Sequence, residues 1–257
     1  MISKNQIKHI QSLHSKKNRE EESLFIVEGV KLVTEFIRHQ KFVIKEVYAI
    51  PEYIQQHEAT LVKHGISFTE ITADELKKIS LLTTPNQVLA IVKTTTQLLD
   101  NELLNTATTL FLDNIRDPGN LGTIIRIADW FGIKQVICSP NSTELFNPKT
   151  LQASMGAVLR VNVVSIAFTE LLSKLNKTPI YGAVLEGENL YTTTLKNGLI
   201  IIGNEANGIS TEVLQHISHR ITIPAANTNG SESLNAANAC AIICSEFHRQ
   251  LTYSSLA

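Results

Sequence analysis

The residues of this chain that could do chemistry fall in three short segments, each directly after an apolar run. The first is Asp113-Asn114-Ile115-Arg116-Asp117-Pro118-Gly119-Asn120-Leu121-Gly122. It leads from a strand-like run into a helical one, and such a turn offers free backbone N–H groups to an anion. The chain has neither G-x-G-x-x-G nor G-x-x-x-x-G-K-[ST], so on spacing alone this is a weak phosphate signal, and a tight turn with a helix cap explains it more readily. Leu121, Ile124, Ile125 and Ala128 form the apolar face of the following helix. At 100° per residue, Arg126 lies well round from most of them and is expected outside the core.

The second segment runs Leu199-Ile200-Ile201-Ile202-Gly203-Asn204-Glu205-Ala206-Asn207-Gly208-Ile209. Its glycines let the backbone bend sharply or approach a ligand closely. Glu205 could cap a helix starting near Ser210 or face a site. The third runs from Ile221-Thr222-Ile223-Pro224 through Gly230 to Ser233-Leu234-Asn235-Ala236-Ala237-Asn238-Ala239. Ser233 is expected to cap a helix. Ala236, Ala237, Ala239 and Ala241 admit close packing, and the amides of Asn235 and Asn238 need partners.

Taken together, the three segments resemble the three motifs of the SpoU (TrmH) family within the SPOUT class of RNA methyltransferases. Asp117-Pro118-Gly119-Asn120-Leu121-Gly122-Thr123-Ile124-Ile125-Arg126 resembles the first, Gly203-Asn204-Glu205-Ala206-Asn207-Gly208 the second, and Ile223-Pro224 with Ser233-Leu234-Asn235 the third. Each alone is modest; all three in order, each after an apolar run, are specific. Lys149-Thr150-Leu151-Gln152-Ala153-Ser154-Met155-Gly156-Ala157 resembles the family's small-residue segment between motifs one and two. Phe25-Ile26-Val27-Glu28-Gly29-Val30-Lys31-Leu32-Val33 resembles the substrate-binding domain often fused in front, so the likeness covers nearly the whole chain. Two departures stand out. The loop between Pro224 and Ser233 has eight residues and carries Asn227, Thr228 and Asn229. After Asn235 the chain reads Ala-Ala-Asn rather than a Val-containing run.

The resemblance implies a deep trefoil knot in the C-terminal domain, an exception to the rule that chains stay unknotted. It also implies S-adenosylmethionine bound bent within the knot, a homodimer with the site near its interface, and methylation of a ribose 2′-OH in ribosomal or transfer RNA. The front domain is then a ribosomal-protein-like RNA binder. As catalytic residues the resemblance implies Arg126, Asn120, Glu205, Ser233 and Asn235. Backbone groups around Leu185, Gly187, Gly203, Ile223 and Leu234 are implied to hold the cofactor. A guanidinium is effectively always protonated, so Arg126 is expected to hold an RNA phosphate and stabilise developing alkoxide, with the base unassigned. Asn120 and Asn235 orient substrate or Arg126, and Glu205 fixes loops or Arg126.

The elements that must position these residues alternate. Strands are expected at Thr109–Leu112, Val136–Cys138, Val161–Val164, Ile180–Leu185, Leu199–Ile202 and Arg220–Ile223. Helices are expected at Leu121–Phe131, Pro148–Met155, Phe168–Leu175, Thr211–Ile217 and Ser233–Leu251. Apolar, strand-length runs alternating with helices predict an α/β fold with a mostly parallel sheet covered on both faces. Ligands then sit beyond the carboxyl ends of the strands. The N-terminal part alternates too. Its strands are expected at Ser23–Val27, Phe42–Ile50, Ile66–Ile71 and Val88–Val92. Its helices are expected after Gly29, over Ile54–His64, and from the capping box Thr72-Ala73-Asp74-Glu75 through Ile79. A polar stretch near residues 95–105 predicts two domains, residues 1–97 and 98–257, to which the resemblance assigns RNA substrate binding and methyl transfer respectively.

Composition narrows the function classes. Lys plus Arg number 23 and Asp plus Glu 24, a formal net charge of −1, which excludes a polycationic nucleic-acid coat but not a local basic patch. Lys4, Lys8, Lys16, Lys17 and Arg19 precede the first acid, Glu20, and form a candidate RNA-binding arm. A solvated amphipathic helix is an even alternative. Cys138, Cys240 and Cys244 lie outside any metal-ligand spacing. Cys240 and Cys244, four apart in an apolar run, are expected to be small core residues, and a reducing compartment fits best. With no apolar leader or membrane-length run, a cytoplasmic, metal-independent protein is expected. Two rival classes remain open: a non-catalytic RNA-binding knot protein, and a nucleotide-dependent α/β enzyme using the Asp117–Gly122 turn, against which the missing P-loop lysine counts.

Overall fold

The computed structural model describes residues 2–226 and 233–253. Along the chain the elements are α1 (Lys4–Ser12), α2 (Lys16–Glu22), β1 (Leu24–Glu28), α3 (Val30–His39), β2 (Ile44–Ala49), α4 (Pro51–Lys63), β3 (Phe68–Glu70), α5 (Ala73–Ile79), β4 (Val88–Lys93) and α6 (Asn101–Thr106). There follow β5 (Thr109–Leu112), α7 (Pro118–Trp130), β6 (Gln135–Cys138), α8 (Pro148–Ser154), a short 3-10 turn (Ala157–Leu159), β7 (Asn162–Ser165), α9 (Phe168–Leu172), β8 (Ile180–Asn189), β9 (Leu199–Ile202), α10 (Thr211–Leu214), β10 (His219–Thr222) and α11 (Ala236–Tyr253). No helix among the described residues is long and apolar enough to cross a membrane.

The chain divides into two compact units, residues 1–96 with 146–159, and residues 97–145 with 160–257. The first holds a mixed sheet in the order β1-β4-β2-β3. β1 and β4 are antiparallel, and β2 and β3 are parallel. All five residues of β1 are buried, which is why residues 24–27 read as a continuous rather than an alternating apolar run. Pro51, placed by sequence at the end of a strand, is the first residue of α4, where its missing N–H costs nothing. Thr72 and Glu75 make the expected capping box. α8 belongs here too: the Phe146 ring before it stacks on Phe25 at 4.4 Å, and Gln152 Nε2 donates to the Glu28 carbonyl at 2.8 Å.

The second unit carries an all-parallel sheet in the order β10-β8-β9-β5-β6-β7. Its central strands β5, β9 and β6 are buried at every position, as a sheet covered on both faces requires. Leu104, Phe111, Ile137, Phe168, Leu199, Ile201 and Val213 share one core cluster. Two elements end earlier than periodicity suggests: α9 stops at Leu172 and α10 at Leu214. β8 is longer than expected because it pairs with β10 in two pieces. Gly182 faces Arg220 and Glu188 faces Ile221, so residues 183–187 leave the ladder between them. The last helix starts at Ala236, not Ser233. Its N-terminal N–H groups at Ala237 and Asn238 are taken by the Asn235 side chain, at 2.9 and 3.3 Å. An amide side chain next to the helix does the capping that sequence assigned to the hydroxyl two residues earlier.

Candidate active site

The loops after β5 and β9 and the approach to α11 are built to hold a rigid polar cluster. After β5, Asp113 is buried and bridges two segments. One carboxylate oxygen accepts the Ser210 N–H at 2.7 Å and the other the Asn114 amide at 2.9 Å. Sequence gave Asp113 no role, and Glu205 does not cap the helix at Ser210. Asp117 caps α7 by accepting the Asn120 N–H at 2.8 Å, with Pro118 as the first helical residue. These two carboxylates fix where Asn120 stands.

After β9 the chain makes a closed turn. Asn204 and Gly208 exchange both backbone hydrogen bonds at 2.9 Å. Gly208 adopts φ +66°, and a Cβ on Gly203 would sit 2.3 Å from the Gly208 carbonyl carbon. The close approach demands glycine at 203, and the positive φ favours it at 208. The Asn204 side chain stiffens it further, accepting the Ala206 and Asn207 N–H groups at 2.9 and 3.1 Å and donating to the Asn114 carbonyl at 2.8 Å.

On this scaffold the three segments meet. Asn235 Nδ2 donates to Asn120 Oδ1 at 3.0 Å, Asn120 Nδ2 donates to Glu205 Oε1 at 2.6 Å, and Asn204 Nδ2 donates to Glu205 Oε2 at 3.3 Å. One side-chain chain therefore runs Asn235–Asn120–Glu205–Asn204. Both Glu205 oxygens accept amide hydrogens, so this carboxylate orients its neighbours. Of the expected catalytic set, the geometry joins Asn120, Glu205 and Asn235 directly. Arg126 lies farther along α7, exposed, and makes no hydrogen bond or ion pair among the described residues. Ser233 is exposed and likewise makes none there. Asn204 was missed by sequence reasoning. Its only signal was its place between Gly203 and Glu205.

The residues expected to hold a cofactor lie on the β8, β9, β10 and α11 loops. Leu185 is in the segment that leaves the ladder and is 72% exposed, and Leu234 is 49% exposed. Leu185 thus puts a large apolar side chain in solvent on backbone that has left the ladder. Thr222 Oγ1 anchors the excursion by donating to the Leu185 carbonyl at 3.0 Å. Gly187 passes so close to β10 that a Cβ would lie 2.7 Å from the Arg220 carbonyl oxygen. Gly203 is the turn glycine described above, and Ile223 is half-buried just past β10. Much of the long loop before Ser233, residues 227–232, lies outside the described residues.

The basic N-terminal residues separate into three kinds. Lys4 and Lys8 are exposed on α1 and make no ion pair among the described residues. Lys16 and Lys17 face Glu20 and Glu21 one turn on, at 3.6 and 3.8 Å, in exposed pairs worth little. Arg19 corrects the expectation of an arm. It is 3% exposed, and its guanidinium donates to the Leu13 and His14 carbonyls at 2.8 Å. That guanidinium closes the α1–α2 turn and cannot reach an RNA phosphate. The cysteines are core residues: all three are buried and free, and burial pushes the Cys138 thiol up to about 12. Among the described residues, no group of three His, Cys, Asp or Glu side chains could hold a metal ion.

Residues 107–245 match the model of the SpoU rRNA Methylase family, and residues 4–90 match that of the MRM3-like substrate binding domain. The chain is 28% identical to the 23S rRNA (guanosine(2553)-2′-O)-methyltransferase RlmP of Bacillus subtilis, over 93% of this chain and 95% of that protein. Among solved structures, it is 36% identical to a protein assigned to the TrmH family of RNA methyltransferases from Porphyromonas gingivalis, with TM-score 0.83 over 97% of this chain and 99% of that one. It is 26% identical to an AdoMet-bound rRNA methyltransferase from Sinorhizobium meliloti, with TM-score 0.84 over 98% and 97% of the two chains.

Proposed function

This chain belongs to the SpoU rRNA Methylase family, and on that premise we propose that it methylates a ribose 2′-OH of ribosomal RNA using S-adenosylmethionine. The observation that carries the reading is the chain Asn235–Asn120–Glu205–Asn204, which ties three segments distant in sequence into one fixed polar surface at the carboxyl ends of parallel strands. A fixed surface suits a reaction in which most of the catalysis is positioning.

When bound, S-adenosylmethionine supplies an electrophilic methyl group. Leu185 and Leu234 offer it apolar walls, and the backbone around Gly187, Gly203 and Ile223 offers hydrogen bonds. Arg126 holds the RNA phosphate next to the target ribose and stabilises the negative charge that develops on the 2′-oxygen as its proton passes to that phosphate or to water. Asn120, held by Glu205 and Asn235, presents a fixed amide edge to the substrate. Glu205 is a positioning residue, and Ser233, exposed two residues before Asn235, completes the set as a substrate-positioning residue. The reading includes a trefoil-knotted C-terminal domain acting as a homodimer in a reducing cytoplasm, without a metal. Residues 1–97 serve as the RNA-binding domain and 98–257 as the transferase.

The test is transfer of labelled methyl from S-adenosylmethionine to ribosomal RNA in EDTA, followed by digestion to nucleosides. A labelled 2′-O-methylated nucleoside is expected. Calorimetry is expected to show cofactor affinity in the millimolar-to-micromolar range, about −4 to −8 kcal/mol. A base-methylated product, or binding of both partners with no transfer, overturns the reading. The second outcome would favour a non-catalytic binder.

The first unit gives a separate expectation. Lys4→Glu together with Lys8→Glu is expected to weaken RNA binding and flatten its salt dependence, because each lost phosphate contact removes about 0.7 to 0.9 from the log–log slope. Cofactor affinity and melting temperature are expected to hold, since both side chains are exposed. An unchanged slope would make α1 a merely solvated face.

A further inference from the structure

The segment between β5 and α7 contains a second arginine that the proposed mechanism does not use. Arg116 is exposed and makes no hydrogen bond or ion pair among the described residues. The backbone on either side of it is held at every turn. The Asn114 N–H donates to Ser139 Oγ at 2.9 Å, and the Asn114 carbonyl accepts from the Asn204 amide at 2.8 Å. Asn114 itself sits at φ +59°. The Ile115 side chain is fully buried, its N–H donates to Ser142 Oγ at 3.2 Å, and its carbonyl accepts the Thr143 N–H at 2.8 Å. Asp117 is committed to capping α7.

A loop fixed this thoroughly could carry any residue at its tip. It carries a guanidinium, and the nearby carboxylates leave it unneutralised. Asp113 is engaged by Ser210 and Asn114, and Asp117 by Asn120. Other arginines of this unit are treated differently. Arg160 pairs with Asp129 at 2.8 Å, and Arg249 pairs with Glu246 at 2.6 Å. Arg116, Arg126 and Arg220 carry no such partner among the described residues, and the first two leave the same short stretch of chain as Asn120. An exposed, unpaired guanidinium on a pre-fixed backbone is ready for bidentate contact with an oxyanion, and only its side-chain freedom is lost on binding.

We infer that Arg116 is a second phosphate-holding residue of the methyl-transfer site, gripping the RNA backbone at a different phosphate from Arg126. The separation follows from α7: at 1.5 Å per residue, Arg126 lies about 12 Å along the helix from its start at Pro118, and Arg116 precedes that start. Two contacts so spaced fix the direction of the strand as well as its distance. The inference rests on the methyl-transfer reading above.

The test uses the full chain, ribosomal RNA, and the variants Arg116→Ala and Arg116→Lys. For Arg116→Ala, the log–log salt slope of RNA binding is expected to fall by roughly one contact, about 0.7 to 0.9. The KM for RNA is expected to rise on the order of tenfold, one factor of about 1.4 kcal/mol in binding, with a smaller fall in kcat. Arg116→Lys is expected to restore the slope but only part of the KM, because lysine keeps the charge and loses the fork. Cofactor affinity and melting temperature are expected to match wild type. An unchanged slope and KM in Arg116→Ala, or a loss explained by a lower melting temperature, overturns the inference. If wild-type protein binds RNA but transfers no methyl, the functional reading fails on its own, while the salt slope still judges Arg116. If wild type binds no RNA, both fall.

Discussion

Arg126→Ala is expected to reduce single-turnover methyl transfer by about 100-fold or more at saturating cofactor, with no comparable loss of stability. Arg126 leaves α7 on its exposed side, whereas Leu121, Ile124, Ile125 and Ala128 on the other side are fully buried. Truncation therefore opens no core cavity. It also breaks no hydrogen bond among the described residues, and exposed changes of this kind usually shift stability by less than about 0.5 kcal/mol. Cofactor affinity is expected to survive, because Leu185, Gly187, Gly203, Ile223 and Leu234 belong to other loops. The phosphate contact of Arg126 also contributes to RNA binding, but the charge it stabilises as the alkoxide forms exists only in the transition state, so the rate at saturating RNA is expected to fall further than RNA affinity. Loss of one oxyanion donor commonly costs a factor of about 100 to 1,000. Arg126→Lys is expected to rescue little, since an ammonium lacks the bidentate fork. The measurement is a single-turnover assay beside a melting curve. Near-normal turnover, or loss only through unfolding, would return Arg126 to the structural residues.

Gly203→Ala is expected to damage both stability and activity. The added Cβ would lie 2.3 Å from the Gly208 carbonyl carbon and 2.4 Å from the Ile209 nitrogen, and both are backbone atoms that cannot swing aside. The turn must open, which strains the paired Asn204–Gly208 hydrogen bonds. Overpacking of this sort costs about 1 to 3 kcal/mol, which in a chain of this size lowers the melting temperature by roughly 2 to 4 °C per kcal/mol. The functional loss is expected to persist where the protein is fully folded, because Asn204 and Glu205 move with the turn and release Asn120. Transfer measured well below the melting transition is expected to fall at least tenfold, about 1.4 kcal/mol. Gly208→Ala makes a useful comparison. Its Cβ would meet nothing within 4 Å, so its cost comes from the positive φ alone. If Gly203→Ala melts and turns over like wild type, the close approach is not what holds the second segment in place.

Much of this protein was determined by the sequence acting locally. The runs at residues 110–112 and Leu199–Ile202 are continuously apolar because a parallel sheet buries both faces, and that continuity is visible without coordinates. The exposed position of Arg126 follows from helical periodicity alone. The three chemical segments were legible for the same reason, since each follows such a run. What tertiary structure decided is which polar groups meet. Asn120 reaches Glu205 across 85 residues because β5 and β9 are neighbours in the sheet, and Asn235 reaches Asn120 across 115 because α11 packs on α7. No local pattern records strand order, so Asn204 and Asp113 could not be singled out beforehand. The same limit explains Arg19: its charge reads as an RNA contact until the α1–α2 turn folds two carbonyls onto it. It explains Asn235 in place of Ser233 as the cap of α11, and the excursion at residues 183–187, which exists only because β8 and β10 pair in two pieces. Apolar periodicity is a property of neighbours along the chain, whereas hydrogen-bond partners are a property of neighbours in space.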